Sequence, residues 1–374
     1  MIEWEEGGDL RRARWQSAAG LPPPRRVILA DDTLDADTAK RLACEGTALL
    51  WRGDYHNARQ LRQAIARRIA RGGKRRRKPD ADCGRALFAR YRLAQSQRAR
   101  ILGMLLIPVE VGYRIPLRRA PDVVPAFEAA FGSGEDDFVL SLSDLLGVLG
   151  AHQWQLKGVP VGALGGSIHP HYGVFSPVRG EYLDLLTQVP LPTQELAFDI
   201  GTGTGVLAAI LAKRGVRRVV ATDMDPRALA CAQDNIRRLG LAEQVEVVAA
   251  DLFPPGRAPL VVCNPPWLPA RPTSPLEHAI YDPDSRMLKG FLSGVREHLS
   301  PGGEAWLILS DLAEHLGLRS RETLLNRFDT AGLTVAGRLD TRPIHRRAND
   351  RADPLHTARS AEVTSLWRLL CTHA

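Results

Sequence analysis

From Glu195 onward, short apolar runs alternate with stretches in which apolar residues recur every three or four positions. LAFDI, VRRVVATD, VEVVAAD, APLVVCN and GGEAWLILS read as strands, with VLAAILAKRG and PRALACAQDNIRRLG as the helices after the first two. LTVAGRLD and EVTSLWRLL predict a closing pair near the C-terminus. Strand-helix alternation of this kind predicts an α/β fold with a mostly parallel sheet flanked by helices.

The first 150 residues follow a different rhythm. Leu61, Ile65 and Ile69 recur every four residues in HNARQLRQAIARRIARGG, and Gly72-Gly73 supplies a predicted stop. KRRRKPDAD reads as a linker, and RALFARYRLAQSQRARIL resumes the helical pattern. Ser143 is expected to cap a helix over SLSDLLGVLGAHQWQLKG. The Gly- and Pro-rich stretch from Val159 to Pro177 marks a junction, dividing the chain into a mixed, partly helical domain, 1–150, and an α/β domain, 151–374. A length of 374 residues suits two domains, and there is no internal repeat.

Composition narrows the class. At 44% hydrophobic, 25% charged and 6% aromatic, the chain reads as globular rather than collagenous, disordered or disulfide-stapled. The longest aliphatic run, Ile101 to Val111, is broken by Gly103 and Pro108. It falls short of the ~20 apolar residues of a membrane span. The acidic start MIEWEEGGDL lacks the apolar stretch of a signal peptide, so a cytoplasmic protein with no membrane partner is expected. Cys44, Cys83, Cys231, Cys263 and Cys371 form no CxxC pair, which predicts reduced, mostly structural thiols.

Charge is uneven. The net +8 arises from 50 Lys+Arg against 42 Asp+Glu, and residues 1–150 carry 26 and 19 of these. From Arg59 to Arg100 there are 15 basic residues against two acidic ones, Asp80 and Asp82. Arginine dominates, its planar fork suits phosphate, and Phe88 and Tyr91 are interleaved. A nucleic-acid grip and a solvated helix face account for this charge equally well.

Ligands of open α/β sheets sit at the carboxyl ends of the strands. Those ends carry Asp199 with GTGTG (201–205), then Asp223, Asp251 and Asn264-Pro265-Pro266-Trp267. Glycines let a backbone turn tightly and approach a ligand. Val206 stands where a dinucleotide fingerprint has its third glycine, which disfavours a nicotinamide enzyme. Asp223 is placed to accept from both hydroxyls of a ribose, whereas Asp225, before Pro226, reads as a helix cap. Asp251 suits an adenine amine or a turn, with Leu252 and Phe253 as walls for a base. Two prolines stiffen the loop that presents Asn264 and Trp267. His169 and His171 have no thiol or carboxylate at metal spacing and read as loop residues, so no metal is expected. In YDPDSRMLKG, a cleft wall and a helix start capped by Asp284 or Ser285 both fit. TRPIHRRANDRADPLHTARS (341–360) reads as a long basic loop.

FDIGTGTGVLA, ATDMDP, ADLF and VVCNPPW, taken together, resemble class I S-adenosylmethionine-dependent methyltransferases. The similar group is the small-domain one, with ribosomal and transfer RNA N-methyltransferases and release-factor glutamine methyltransferases. GVFSPVRGEYLDLL (173–186) is similar to the segment before that group's first motif. The resemblance spans about residues 165–374 and implies a Rossmann-like seven-stranded sheet with an antiparallel C-terminal pair. It implies S-adenosyl-L-methionine as cofactor, with Asp199 orienting the methionine amino group. Gly201, Thr202, Gly203 and Gly205 would lie along the cofactor, Asp223 and Met224 at the ribose, and Asp251 and Leu252 at the adenine. Asn264 and Pro265 would accept the two N–H groups of a planar amine, and Trp267 would stack on it. The expected function is N-methylation of a base amine, in RNA first. A protein glutamine, a small-molecule amine and a non-enzymatic RNA-binding role on a vestigial cofactor fold stand as alternatives.

Overall fold

The computed structural model describes residues 1–75, 84–176, 180–272, 275–344 and 350–372. Two compact units divide the chain, one of residues 1–82 with 89–153, the other of 83–88 with 154–374.

The first unit is built on a six-stranded mixed sheet. Its strands are β1 (Ile2–Glu6), β2 (Asp9–Gln16), β3 (Arg26–Ala30), β4 (Thr47–Trp51), β5 (Leu105–Val109) and β6 (Phe138–Ser141), in the order β1-β2-β6-β5-β4-β3. Ile2, Ala13, Ala48, Leu50, Leu106 and Val139 pack together on it. The aliphatic run at 101–111 is two elements. A helix, Arg85–Leu102, ends where Gly103 donates back to the Ala99 carbonyl at 2.8 Å, and β5 follows. Pro108 is tolerated in β5 because pairing with β4 stops at Leu105 and Leu106, while Pro108 lies opposite Val139 of β6.

Two sequence expectations need correction here. The basic helix spans Tyr55–Arg75 and passes through Gly72 and Gly73. Glycine in a helix costs only about 1 kcal/mol, less than the burial of Leu61 and Ile65 on that helix supplies. The cap of the helix Leu142–Lys157 is Ser141, whose hydroxyl accepts from the Asp144 amide at 2.9 Å. Ser143 is already helical, and its hydroxyl donates to the Leu102 carbonyl at 3.3 Å. The arginines also divide. Arg68 grips Asp37 through Nε at 2.7 Å and Nη2 at 3.0 Å, Arg62 donates to Ser143, and Arg59 and Arg67 stay exposed. Arg76, Arg77, most of the KRRRKPDAD linker and Cys83 lie outside the described residues.

The second unit opens with a short hairpin, β7 (Val159–Val161) and β8 (Gly166–Ile168). Its main sheet has β9 (Leu196–Ile200), β10 (Arg218–Asp223), β11 (Val245–Ala249), β12 (Ala258–Cys263), β13 (Leu299–Ser310), β14 (Leu333–Thr341) and β15 (Thr364–Cys371). The order is β11-β10-β9-β12-β13-β15-β14, parallel from β11 to β13, with β15 antiparallel to both β13 and β14. Helices Glu181–Gln188, Val206–Lys213 and Pro226–Arg238 contribute to one core cluster. Helices Arg286–His298 and Arg321–Thr330 contribute to another. The basic 341–360 stretch is not wholly loop, because His356–Ala361 is helical and Arg359 pairs with Asp353 at 3.2 Å; residues 345–349 lie outside the described set. No helix among the described residues is long and apolar enough to cross a membrane.

Helix Arg286–His298 reveals a fitted contact. Phe253 stacks on Phe291 (5.8 Å, 21°) and on His298 (4.5 Å, 5°), so it is a packing residue and not a wall for a base. The ring fits because Gly294 has no side chain; a Cβ there would stand 2.7 Å from Phe253 Cε2. An alanine in a helix normally gains about 1 kcal/mol over glycine. Here overpacking of about 1–3 kcal/mol should win, because the Phe291 and His298 rings stacked on Phe253 hold it in place. Gly294→Ala is therefore expected to lower the urea midpoint, and a raised midpoint would contradict this packing.

Candidate active site

Strand order reverses between β9 and β12. The chain moves outward from β9 to β10 and β11, then returns to the other side of β9. Such a reversal opens a crevice at the carboxyl ends of the two strands. Ile200 and Cys263 pair across it, so the GTGTG turn and Asn264 emerge side by side.

Asp199, in β9, is fully buried. Its Oδ2 accepts from the Thr202 hydroxyl at 2.6 Å and the Ala208 amide at 3.1 Å, while Oδ1 is buried without a partner. Burial raises its pKa to about 6, against the pull of those two hydrogen bonds, and the nearby Asp223 charge raises it further.

The glycine turn is left-handed at Gly201, Gly203 and Gly205, with φ of 72°, 57° and 82°. That conformation favours glycine, but the three positions face different surroundings. A Cβ at Gly203 would meet nothing within 4 Å. One at Gly205 would lie 3.3 Å from the Ala232 backbone, so this glycine serves close helix packing. At Gly201 the Met287 methyl occupies the space. Thr202 is buried, with its hydroxyl turned to Asp199 and its amide donating to the Thr222 carbonyl at 2.8 Å.

At the end of β10, Asp223 accepts from the Gly203 amide at 3.0 Å and the Asp225 amide at 3.0 Å. Met224 beside it is exposed. Asp225 caps the next helix by accepting from the Arg227 amide at 3.0 Å, with Pro226 in the first position. Asp251 is exposed and 3.5 Å from Arg286 Nη2. Leu252 takes a positive φ of 75°, and its carbonyl accepts the Thr222 hydroxyl at 2.5 Å.

After β12, the Trp267 indole N–H donates to Asn264 Oδ1 at 2.8 Å. The ring meets Tyr182 edge-on, 6.1 Å between centroids at 87°. Pro265 is buried and Pro266 half-buried. Leu268 then donates to the Ile280 carbonyl at 3.1 Å and accepts from the Asp282 amide at 2.8 Å, fastening the loop's exit. Asp282, not Asp284 or Ser285, caps helix Arg286–His298, its carboxylate accepting from the amides of Met287 and Leu288. Asp284 and Ser285 are left-handed instead, at φ 56° and 54°.

Tyr182, Met287 and Asp282 were not singled out from the sequence. Tyr182 lies within the 173–186 segment, of which residues 177–179 are outside the described set. The other two belong to YDPDSRMLKG, where a cleft wall and a cap at Asp284 or Ser285 are the local readings.

Residues 166–333 match the family described as Methyltransferase small domain. The matched stretch takes in the glycine turn, Asp223 and the Asn264 loop. A release factor glutamine methyltransferase from Cereibacter sphaeroides is 32% identical over 163 residues, covering 38% of this chain and 58% of its own length. A ribosomal protein L11 methyltransferase from Pelotomaculum thermopropionicum is 49% identical over 69 residues, covering 18% of this chain and 22% of its own. A ribosomal protein L11 methylase structure from Lactobacillus delbrueckii is similar at 15% identity and a TM-score of 0.35, covering 51% of this chain and 77% of that one. The chain thus spans at most about three fifths of either curated relative.

In the second unit, His169 and His171 are held by local hydrogen bonds. His169 Nδ1 lies 2.6 Å from the Gln155 carbonyl and its amide donates to Asn235 Oδ1 at 2.7 Å, while His171 Nε2 is 3.4 Å from Asp234. Among the described residues there is no group of three or more metal-ligating side chains.

Asp199 carries a stability signature. Its folded pKa, about 6, exceeds the ordinary 3.8, so between these values the native state holds more protons than the unfolded one. Asp199 therefore makes stability decline as pH rises through that window. Asp199→Asn is expected to flatten stability between roughly pH 4 and 6 in denaturant titrations. A slope identical to the wild type would refute the raised pKa.

Proposed function

We propose that this chain transfers a methyl group from S-adenosylmethionine to the exocyclic amine of a nucleic acid base, in RNA. The observation that carries the reading is the emergence of Asn264-Pro265-Pro266-Trp267 beside the glycine turn, at the reversal of strand order. The residues fit the cofactor. The partnerless Asp199 Oδ1 suits an ammonium group, and Asp223 retains acceptor capacity for ribose hydroxyls. The open side of Gly203 allows close approach, with Met224 beside the ribose and Asp251 and Leu252 on the adenine side. Bound there, S-adenosylmethionine supplies an electrophilic sulfonium methyl.

The protein's part is positioning. Asn264 Oδ1 has two lone pairs, and the Trp267 N–H uses one. The other, with the Pro265 carbonyl, accepts the two N–H groups of a planar amine. That pairing frees the nitrogen to pyramidalise and aims its lone pair along the line of displacement. Trp267 offers a face for the planar group beyond its own hydrogen bond. A base within a duplex would have to be flipped out to reach the loop. The basic stretch from Arg59 to Arg100 supports RNA, with Arg59 and Arg67 exposed for phosphate. Residues 1–150 act in this reading as the substrate-recognition domain, and the reaction is cytoplasmic.

A second reading, a protein acceptor, is favoured by the likeness to release factor glutamine and ribosomal protein L11 methyltransferases, and a glutamine amide presents the same planar NH2. Methyl-labelled S-adenosylmethionine, the purified protein and lysate from cells lacking the gene separate the two. RNase-sensitive label is expected; label in protein would establish the second reading. Asn264→Ala should cut transfer by about 100-fold or more while calorimetry shows near-normal cofactor binding. Asp223→Ala should weaken cofactor binding by roughly tenfold, about 1.4 kcal/mol. Equal loss of both functions in Asn264→Ala would contradict its role, as would full affinity in Asp223→Ala. A wild-type chain that binds no S-adenosylmethionine would sink the enzymatic reading itself.

A further inference from the structure

Past Trp267 the chain borders a cavity of about 540 Å³, reached at Pro269. Four cationic side chains line it, Arg85, Lys289, Arg319 and Arg327, against two carboxylates, Asp284 and Glu314. Glu314 is already engaged, with both its oxygens 2.9 Å from Arg321 Nε. Arg319 is only 8% exposed, yet its Nε and Nη2 are buried with no hydrogen-bond partner, as is Arg327 Nη1. Buried guanidinium groups are normally paired, because desolvating the charge without compensation is costly. Burial and the charges of Arg327 and Arg321 lower the Arg319 pKa, opposed by Glu314 and Asp282. The fold therefore holds more positive charge at this cavity than its own carboxylates neutralise.

Several features narrow the ligand. A single carboxylate satisfies one guanidinium fork, whereas two arginines and an exposed lysine match the several oxygens and higher charge of a phosphate. Helix Arg321–Thr330 also begins at this wall, with Ser320 and Thr323 lining it. The cavity is tied to the Asn264 loop at two points. Pro269 directly follows Leu268, whose carbonyl accepts from Asp282, and Lys289 belongs to the helix Asp282 caps.

We propose that this cavity binds a phosphate group of the methyl acceptor while the acceptor amine sits at Asn264. The inference rests on the nucleic-acid reading above and deepens it, since it places a backbone phosphate next to the flipped base. Every reading of a phosphate ligand shares the same chemistry, a tetrahedral oxyanion; its source is a phosphodiester or a free phosphate ester.

The test is calorimetry on the full chain with inorganic phosphate, a short oligoribonucleotide and adenosine monophosphate. Phosphate should bind the wild type. Lys289→Gln and Arg327→Gln, both more accessible than Arg319, should each weaken it about tenfold while S-adenosylmethionine binding is unchanged. Displacement of phosphate by the oligoribonucleotide supports the phosphodiester as source, and displacement by adenosine monophosphate alone supports a free ester. Absence of phosphate binding, or equal binding in wild type and both variants, overturns the proposal. Displacement by an acidic peptide but by neither nucleotide overturns it in favour of a protein ligand. Methyl label entering protein sinks the acceptor reading; label entering RNA without phosphate binding sinks the cavity alone.

Discussion

The second unit is organised around one buried carboxylate. Asp199 reaches forward from β9 to the Thr202 hydroxyl and to the Ala208 amide in the first turn of the next helix. Strand, glycine turn and helix start are thereby joined through one oxygen atom. The cost is a carboxylate removed from water, visible in its raised pKa and in an Oδ1 with no partner. Asp223 takes up the other side of the turn through the Gly203 amide. Two carboxylates thus shape a backbone that glycine alone could bend but could not hold in one form.

Asn264 is held in a comparable way. Its side-chain oxygen is tied by Trp267, whose ring is set against Tyr182 from a helix on the preceding segment. The exit of the loop is tied to Tyr281 and Asp282 by backbone pairing. The prolines limit the loop from within, and these contacts limit it from outside. The resulting precision suits chemistry that depends on the direction of a nitrogen lone pair.

Much of the second unit was legible because strand, turn and helix signals agreed there. Leu196–Ile200, Arg218–Asp223 and Ala258–Cys263 are apolar runs with a polar residue at or beside the carboxyl end, Asp199, Asp223 and Asn264, and Asp225-Pro226 marks the helix start. The sheet of the first unit was not legible strand by strand. β4, β5 and β6 are short, wholly buried runs with no alternation to separate them from helix. The caps failed by small displacements, Ser141 for Ser143 and Asp282 for Asp284 or Ser285, because capping is decided by where the backbone leaves the helical region. The place of Phe253 is hidden from local sequence for another reason. Its neighbours, Phe291 and His298, lie far along the chain, and proximity to Asp251 was the only local cue.

That stack has a consequence for how the sequence can change. Phe253 and Gly294 are forty-one positions apart, yet they occupy one volume. Enlarging either requires shrinking the other in the same step, with Leu252 and Gly290 under the same restriction one helical turn earlier. The two pairs therefore behave as compound letters of the sequence, and divergence at either should appear as matched exchanges rather than independent drift.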